Sequence, residues 1–205
     1  MDTEPRPHRL SDIVKSIDTS AGLTIGTLVD AFGERAFGAL MFIFAVPNIV
    51  PTPPGTSAVL GLPLVILTFQ LMIGRQALWL PEAIRRRGIS GAMFESFAKR
   101  AVPVMVRFEK ILRPRLSFLV ASDLSERVMG LIALVLALIL FLPIPGLNIL
   151  PAAAIALMAL GLAERDGIAA LAGYAGAAAC ALVLFLVSAT VVAAVKAIAA
   201  LIPGG

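Results

Sequence analysis

The sequence has one cysteine, one histidine, one tyrosine and one tryptophan, and residues 36–74, 128–163 and 167–195 carry no charged side chain. Each scarcity removes an explanation. Cys180 has no partner for an intrachain disulfide and sits in an apolar run, where it reads as a small packing residue. His8 lies in a Pro- and Arg-rich tail, away from the clustered ligands that a metal site needs. There are no paired carboxylates in an apolar setting, no Ser/His or Cys/His constellation and no phosphate loop. Neither catalysis nor a cofactor is expected.

The charge-free runs are what the chain has in place of these. Each exceeds the roughly 20 residues that cross a bilayer core. With 59% hydrophobic residues and mean hydropathy +0.96, the 205 residues read as one all-α, polytopic membrane domain. The first 32 residues mix charges of both signs and lack the pattern of a cleavable signal, so the N-terminus is expected in the cytoplasm. Sixteen of the 17 basic residues fall on one side if every apolar half-hairpin crosses, and Lys196 alone falls on the other. The positive-inside rule makes that basic side cytoplasmic. The net charge of +4 then reflects topology, and no nucleic-acid partner is implied.

One proline-broken unit occurs twice. Glu34-Arg35-Ala36-Phe37-Gly38 opens an apolar stretch that reaches Pro51-Thr52-Pro53-Pro54-Gly55, and a second apolar run follows to Gly74-Arg75. Ninety-two residues later Glu126-Arg127-Val128-Met129-Gly130 opens a run to Pro143-Ile144-Pro145-Gly146, closing at Gly161-Leu162-Ala163-Glu164-Arg165-Asp166-Gly167. Paired, Pro/Gly-interrupted hydrophobic segments point to a transporter-like binding site. The organisation is an amphipathic N-terminal segment (1–32), repeat 1 (33–75), a basic amphipathic connector (76–124), repeat 2 (125–167) and a C-terminal transmembrane helix (168–205). The first apolar run, 36–50, is short for a full span, so the hairpins are either short spans or re-entrant.

Within the connector, Trp79-Leu80-Pro81 suits the headgroup level. From Phe94 to Leu119, Phe97, Ala98, Ala101, Met105, Phe108, Leu112 and Leu116 share one helical face. Charges at Arg107, Glu109, Lys110, Arg113 and Arg115 make a lipid-facing span costly, at about 2.5–3.5 kcal/mol for each Arg or Lys. A surface-lying basic helix is expected, favouring anionic headgroups. In the last block, Gly173, Gly176 and Ala177–Ala181 predict close packing against a neighbouring helix or a second subunit.

A helix that stops inside a membrane exposes partial charge. The runs ending before Pro51 and Pro143 offer carbonyls, and those starting near Thr56 and Leu147 offer N–H groups. The prolines stop the helix, and Gly55 and Gly146 allow reversal. Asn48, Thr56, Ser57 and Asn148 are the polar side chains close by, with Thr68 and Gln70 further along. The candidate solute site is therefore Asn48, Pro51, Pro53, Gly55, Thr56, Ser57, Pro143, Pro145, Gly146 and Asn148. The alternative is a pair of plain external turns, with the asparagines capping helix ends. Glu34-Arg35 and Glu126-Arg127 read either as local ion pairs at helix starts or as pathway groups that titrate at a channel mouth.

The chain resembles the ExoD family, membrane proteins named for a link to bacterial exopolysaccharide synthesis. The resemblance rests on Phe32-Gly33-Glu34-Arg35-Ala36-Phe37-Gly38, Val46-Pro47-Asn48-Ile49-Val50-Pro51-Thr52-Pro53-Pro54-Gly55 and Leu60-Gly61-Leu62-Pro63-Leu64. It extends through Gly74-Arg75, Trp79-Leu80-Pro81, Phe108-Glu109-Lys110-Ile111-Leu112-Arg113-Pro114-Arg115, Leu142-Pro143-Ile144-Pro145-Gly146-Leu147-Asn148-Ile149-Leu150-Pro151 and Leu160-Gly161-Leu162-Ala163-Glu164-Arg165-Asp166-Gly167. It implies a bacterial inner-membrane protein whose loss disturbs exopolysaccharide production, and it supplies no catalytic residues. The expected activity is secondary transport of a small charged or zwitterionic solute, amino acid-like and basic in one version, by a homodimer in the lipid bilayer. The rival expectation is a non-transporting scaffold or regulator of polysaccharide assembly.

Overall fold

The computed structural model describes residues 12, 14, 23–49, 56–75, 77–88, 90–92, 94–95, 98–99, 102–103, 106–107, 115–120, 122–141 and 148–201. Among them the chain is helical, with no strand beyond a single isolated bridge between Thr24 and Gly88. The helices are α1 (Ile25–Phe32), α2 (Ala36–Ala45), α3 (Thr56–Met72), α4 (Glu82–Arg85), α5 (Asp123–Phe141), α6 (Ile149–Glu164) and α7 (Gly167–Leu201). Short 3-10 turns cover Gly33–Arg35, Val46–Ile49 and Ser117–Leu119.

Local chemistry sets several boundaries. Thr24 caps α1 in a reciprocal box with Thr27, and Gly33 ends it at φ +53. The α6–α7 turn is as short as such a turn can be. Arg165 takes a left-handed conformation after α6, and the Asp166 carboxylate at once accepts from the Ile168 and Ala169 N–H groups opening α7. Pro151 is tolerated in the first turn of α6, where an N–H is not needed for the helix ladder.

α2 and α6 form the interior. Almost every residue of α2 is buried, as are Ala152, Ala154, Ile155, Met158, Ala159 and Leu160 of α6. α2 packs on α6 and α5 on α3, while each hairpin's own two helices also touch. The close approaches occur where side chains vanish. A Cβ on Gly38 would lie 2.6 Å from the Ala159 carbonyl oxygen and 2.8 Å from Ala163 Cβ. One on Gly130 would lie 2.7 Å from the backbone of Leu71 and Met72. These two contacts are related by the same 92-residue offset as the sequence motifs. Both pairs run antiparallel, and Gly61 meets Phe141 at the other end. The helix ends flanking residues 50–55 therefore lie at the same end of the bundle as those flanking 142–147.

α3, α5 and α7 flank this interior, and their outward faces are apolar too. Leu62, Ile66 and Phe69 on α3 and Ile73 just past its end are exposed, as are Leu124, Val128, Leu131, Val135 and Leu138 on α5. Two helical stretches, Asp123–Phe141 and Gly167–Thr190, are long and apolar enough to cross a membrane. α7 runs antiparallel to α6, with Gly161 against Ala170, Met158 against Gly173 and Ala154 beside Gly176. Beyond Cys180, which is buried, it leaves α6 behind, and Leu182, Phe185, Leu186 and Val187 are exposed.

Two expectations need correction. α5 starts at Asp123, so Glu126 and Arg127 lie inside its first turns and do not precede it. Leu116 does not continue a connector helix: it adopts φ +50 and opens the 3-10 turn at Ser117–Leu119. Arg115 there gives its carbonyl to the Gly167 N–H, tying the connector's end to the start of α7. The Phe97–Leu112 face, apart from Ala98, and the amphipathic pattern before Leu23, apart from Asp12 and Val14, lie outside the described residues.

Candidate functional site

Pro51, Pro53, Gly55, Pro143, Pro145 and Gly146 also lie outside the described residues, and so do the side chains of Thr56 and Ser57. The two asparagines are described. Asn48 is 3% exposed and sits on the 3-10 turn that prolongs α2. Its Nδ2 donates to the Phe44 carbonyl at 2.8 Å, occupying one of the free carbonyls at the end of α2. Its Oδ1 is buried with no hydrogen-bond partner among the described residues. The turn packs against α6, whose N-cap is Asn148. Asn148 makes no side-chain cap bond, and its Oδ1 is likewise buried and unpartnered. A plain capping role therefore explains half of Asn48 and none of Asn148. An orphaned buried acceptor costs about 1–3 kcal/mol, which makes two at one end of a bundle worth a reason. The N–H end of α6 is weaker than expected, because Pro151 has none and Ala152 N–H bonds Asn148 O at 3.1 Å.

Thr68 and Gln70 are spent elsewhere. The buried Thr68 hydroxyl donates to Leu64 O at 2.7 Å, one turn back in its own helix. Gln70 Oε1 accepts from the Trp79 N–H at 2.8 Å and so folds the following loop back onto α3.

At the opposite end, the two Glu-Arg-x-x-Gly openings do something that local pairing does not describe. Arg35 reaches Glu164 at the end of α6, with N–O 3.7 Å and side-chain exposures of 27% and 15%. Arg127 lies across Gly74 at the end of α3, its Nε 2.5 Å from where a Cβ would be. Each arginine thus covers the C-terminal end of the other hairpin's second helix, where carbonyls favour a cation. Each glycine three residues on admits the close approach. Glu126 has Asp123, which repels it, and Arg165, which attracts it, as electrostatic neighbours. The Glu34 side chain lies outside the described residues. Replacing Arg35 with methionine is expected to lower stability by about 1 kcal/mol, as for a partly exposed pair, read as a shift in the thermal unfolding midpoint.

The family model for ExoD, exopolysaccharide synthesis, matches residues 7–187. The chain belongs to the ExoD family. Among ExoD relatives, Protein ExoD of Rhizobium meliloti is 31% identical over 186 residues, covering 89% of this chain and 73% of that protein. An uncharacterized Synechocystis protein is 32% identical over 167 residues, covering 81% of this chain and 79% of its own length. No solved structure matches. The ExoD match takes in both hairpins, both asparagines and both Glu-Arg openings, and ends within α7.

Proposed function

We propose that this ExoD-family chain is a membrane carrier, not a catalyst, that moves a small cationic or zwitterionic solute in support of exopolysaccharide production. The observation that carries the reading is the pair of orphaned buried oxygens, Asn48 Oδ1 and Asn148 Oδ1, at the end of the bundle where both proline-broken runs turn. Two acceptors beside the carbonyl end of α2 call for donors, which an ammonium or guanidinium group supplies. A carboxylate on the same solute would meet the Ile149 and Leu150 N–H groups. The matching 92-residue offsets of Gly38 and Gly130 support two hairpins of one design, related by an axis along the bundle.

The apolar outer faces of α3, α5 and α7 support burial in lipid, because a soluble bundle presents polar residues there. α7 then serves as a depth gauge. The charged rim around Arg165 and Asp166 marks the cytoplasmic surface, and Lys196 marks the far one. α7 draws level with the start of α6 near residue 180, about 20 Å along its own length. A hydrocarbon core is about 30 Å thick. The described helix ends beside both turns therefore fall about 10 Å short of the far surface, which favours re-entrant hairpins over short spans. Non-helical backbone at that depth survives only against protein or water, which is what a solute cavity between two copies provides.

The test is uptake of labelled basic and neutral amino acids by proteoliposomes containing the protein. Flux above empty liposomes, lost in Pro53→Ala/Pro145→Ala, is the expected result. Equal flux in wild type, double variant and empty liposomes would refute the carrier reading.

A further inference from the structure

The two hairpins differ in one respect at their charged ends. Arg35 has a carboxylate, Glu164, at the end of the helix it covers. The residue 92 positions before Glu164 is Met72, so Arg127 finds no acid there. No ion pair involving Arg127 or Arg75 occurs among the described residues.

The surroundings of this end of α3 are built from donors. Gly74, at φ +77, leaves the space that the Arg127 guanidinium fills. Arg75 follows directly; its N–H bonds Gln70 O at 3.1 Å, and its guanidinium sits 5.9 Å from the centre of the Trp79 ring. Gln70 is 5% exposed, and its amide orientation is fixed, because the Trp79 N–H requires the oxygen at Oε1. Nε2 is then a buried donor with no acceptor among the described residues. Two guanidinium groups and one amide, none with an anionic partner among the described residues, belong to or border one loop whose tryptophan is 56% exposed. Helix ends alone would ask for a cation here; two arginines and an unused amide exceed that demand and ask for an anion.

We propose that Arg75, Arg127 and Gln70 Nε2 bind the phosphate of an anionic lipid headgroup, with Trp79 placing the site at the membrane surface. A phosphodiester supplies the oxygens that guanidinium groups take in pairs. Trp79 favours the interfacial depth at which such phosphates lie. The lipid, and not free phosphate, is the expected source because the adjoining outward residues Phe69 and Ile73 are exposed and apolar, ready for acyl chains. The site is separate from the proline turns and does not depend on the carrier reading.

Trp79, the only tryptophan, reports on the site directly. The full-length protein in neutral detergent would be titrated with phosphatidylglycerol, phosphatidylcholine and inorganic phosphate while Trp79 emission is followed. Phosphatidylglycerol is expected to give a saturable change, with the other two giving none over the same range. Gln70→Glu keeps the oxygen for the Trp79 N–H and replaces only the donor; Arg127→Gln removes a guanidinium. Each is expected to raise the half-saturation concentration about tenfold or more, on the scale of one charge-assisted contact, while Arg86→Gln leaves it unchanged. Circular dichroism of each variant confirms retained helix, and Arg127→Lys restores part of the affinity if Arg127→Gln does not fold. Equal titration by phosphatidylcholine, equal titration by inorganic phosphate, or unaltered half-saturation in Gln70→Glu would each overturn the assignment.

Discussion

Valine at position 38 or 130 is expected to destabilise the protein by about 3 kcal/mol, or to leave no folded protein to purify. At both sites the space a side chain needs is occupied by the backbone of another helix. The Ala159 carbonyl and the Ala163 N–H stand 2.6 Å and 2.9 Å from a Cβ on Gly38. The Leu71–Met72 peptide stands equally close to one on Gly130. Backbone does not move aside as a flexible side chain does, so α2 must separate from α6, or α5 from α3. In lipid, where packing and not water exclusion holds helices together, that separation forfeits much of what joins the two hairpins. Gly176→Ala is the contrast, because its nearest neighbour is the Ala154 methyl at 3.1 Å, and a loss below about 1 kcal/mol is expected. Thermal unfolding in detergent, followed by circular dichroism, measures all three. Valine variants as stable as the parent would mean that the helix pairs are looser than described.

Leucine at Asn48 is expected to abolish solute flux while leaving the protein at least as stable as before. The two effects separate because the asparagine is badly served in the folded state. Replacing it loses the Nδ2 bond to Phe44 O, about 1 kcal/mol, and relieves a buried acceptor that costs about 1–3 kcal/mol. The net change is between zero and about 2 kcal/mol favourable. A residue kept only for the fold would behave in the opposite way, since its removal would lower stability and spare function. Asn148→Leu is expected to match it, because its Oδ1 is unpartnered in the same way and it caps nothing. Flux at the wild-type level in both variants, with lowered unfolding midpoints, would identify the asparagines as structural.

The broad architecture was legible in the residues because it follows from local rules. Uncharged runs bounded by Pro and Gly give helices 56–72 and 149–164, and the start of the helix at 167, to within about two residues of the expected limits. The start of α5 was not, since Asp123, Glu126 and Arg127 are charged yet lie in a helix that the apolar pattern assigns only from 128. The pairing of each arginine with the far hairpin was equally hidden. Periodicity shows that Glu-Arg-x-x-Gly recurs, but nothing along the chain says that Arg35 meets a residue more than a hundred positions away. Gln70 misled for a related reason. As a polar residue on an apolar helix it has no assigned role in the sequence, and its oxygen is taken by the loop that folds back after Gly74. Leu116 fits a helical face by spacing alone, while the proline at position 114 and the tie from Arg115 to Gly167 end that pattern.

Depth is the quantity on which the solute site stands or falls. In a Cys180→Ala background, single cysteines at Thr52, Ile144 and Lys196 would be exposed to an impermeant thiol reagent from the outer face of sealed vesicles. Position 196 is predicted to react fast, with 52 and 144 reacting from the same face at rates roughly tenfold or more lower, as buried turns do. Reaction at 52 and 144 as fast as at 196 would place both turns in bulk water and contradict the account.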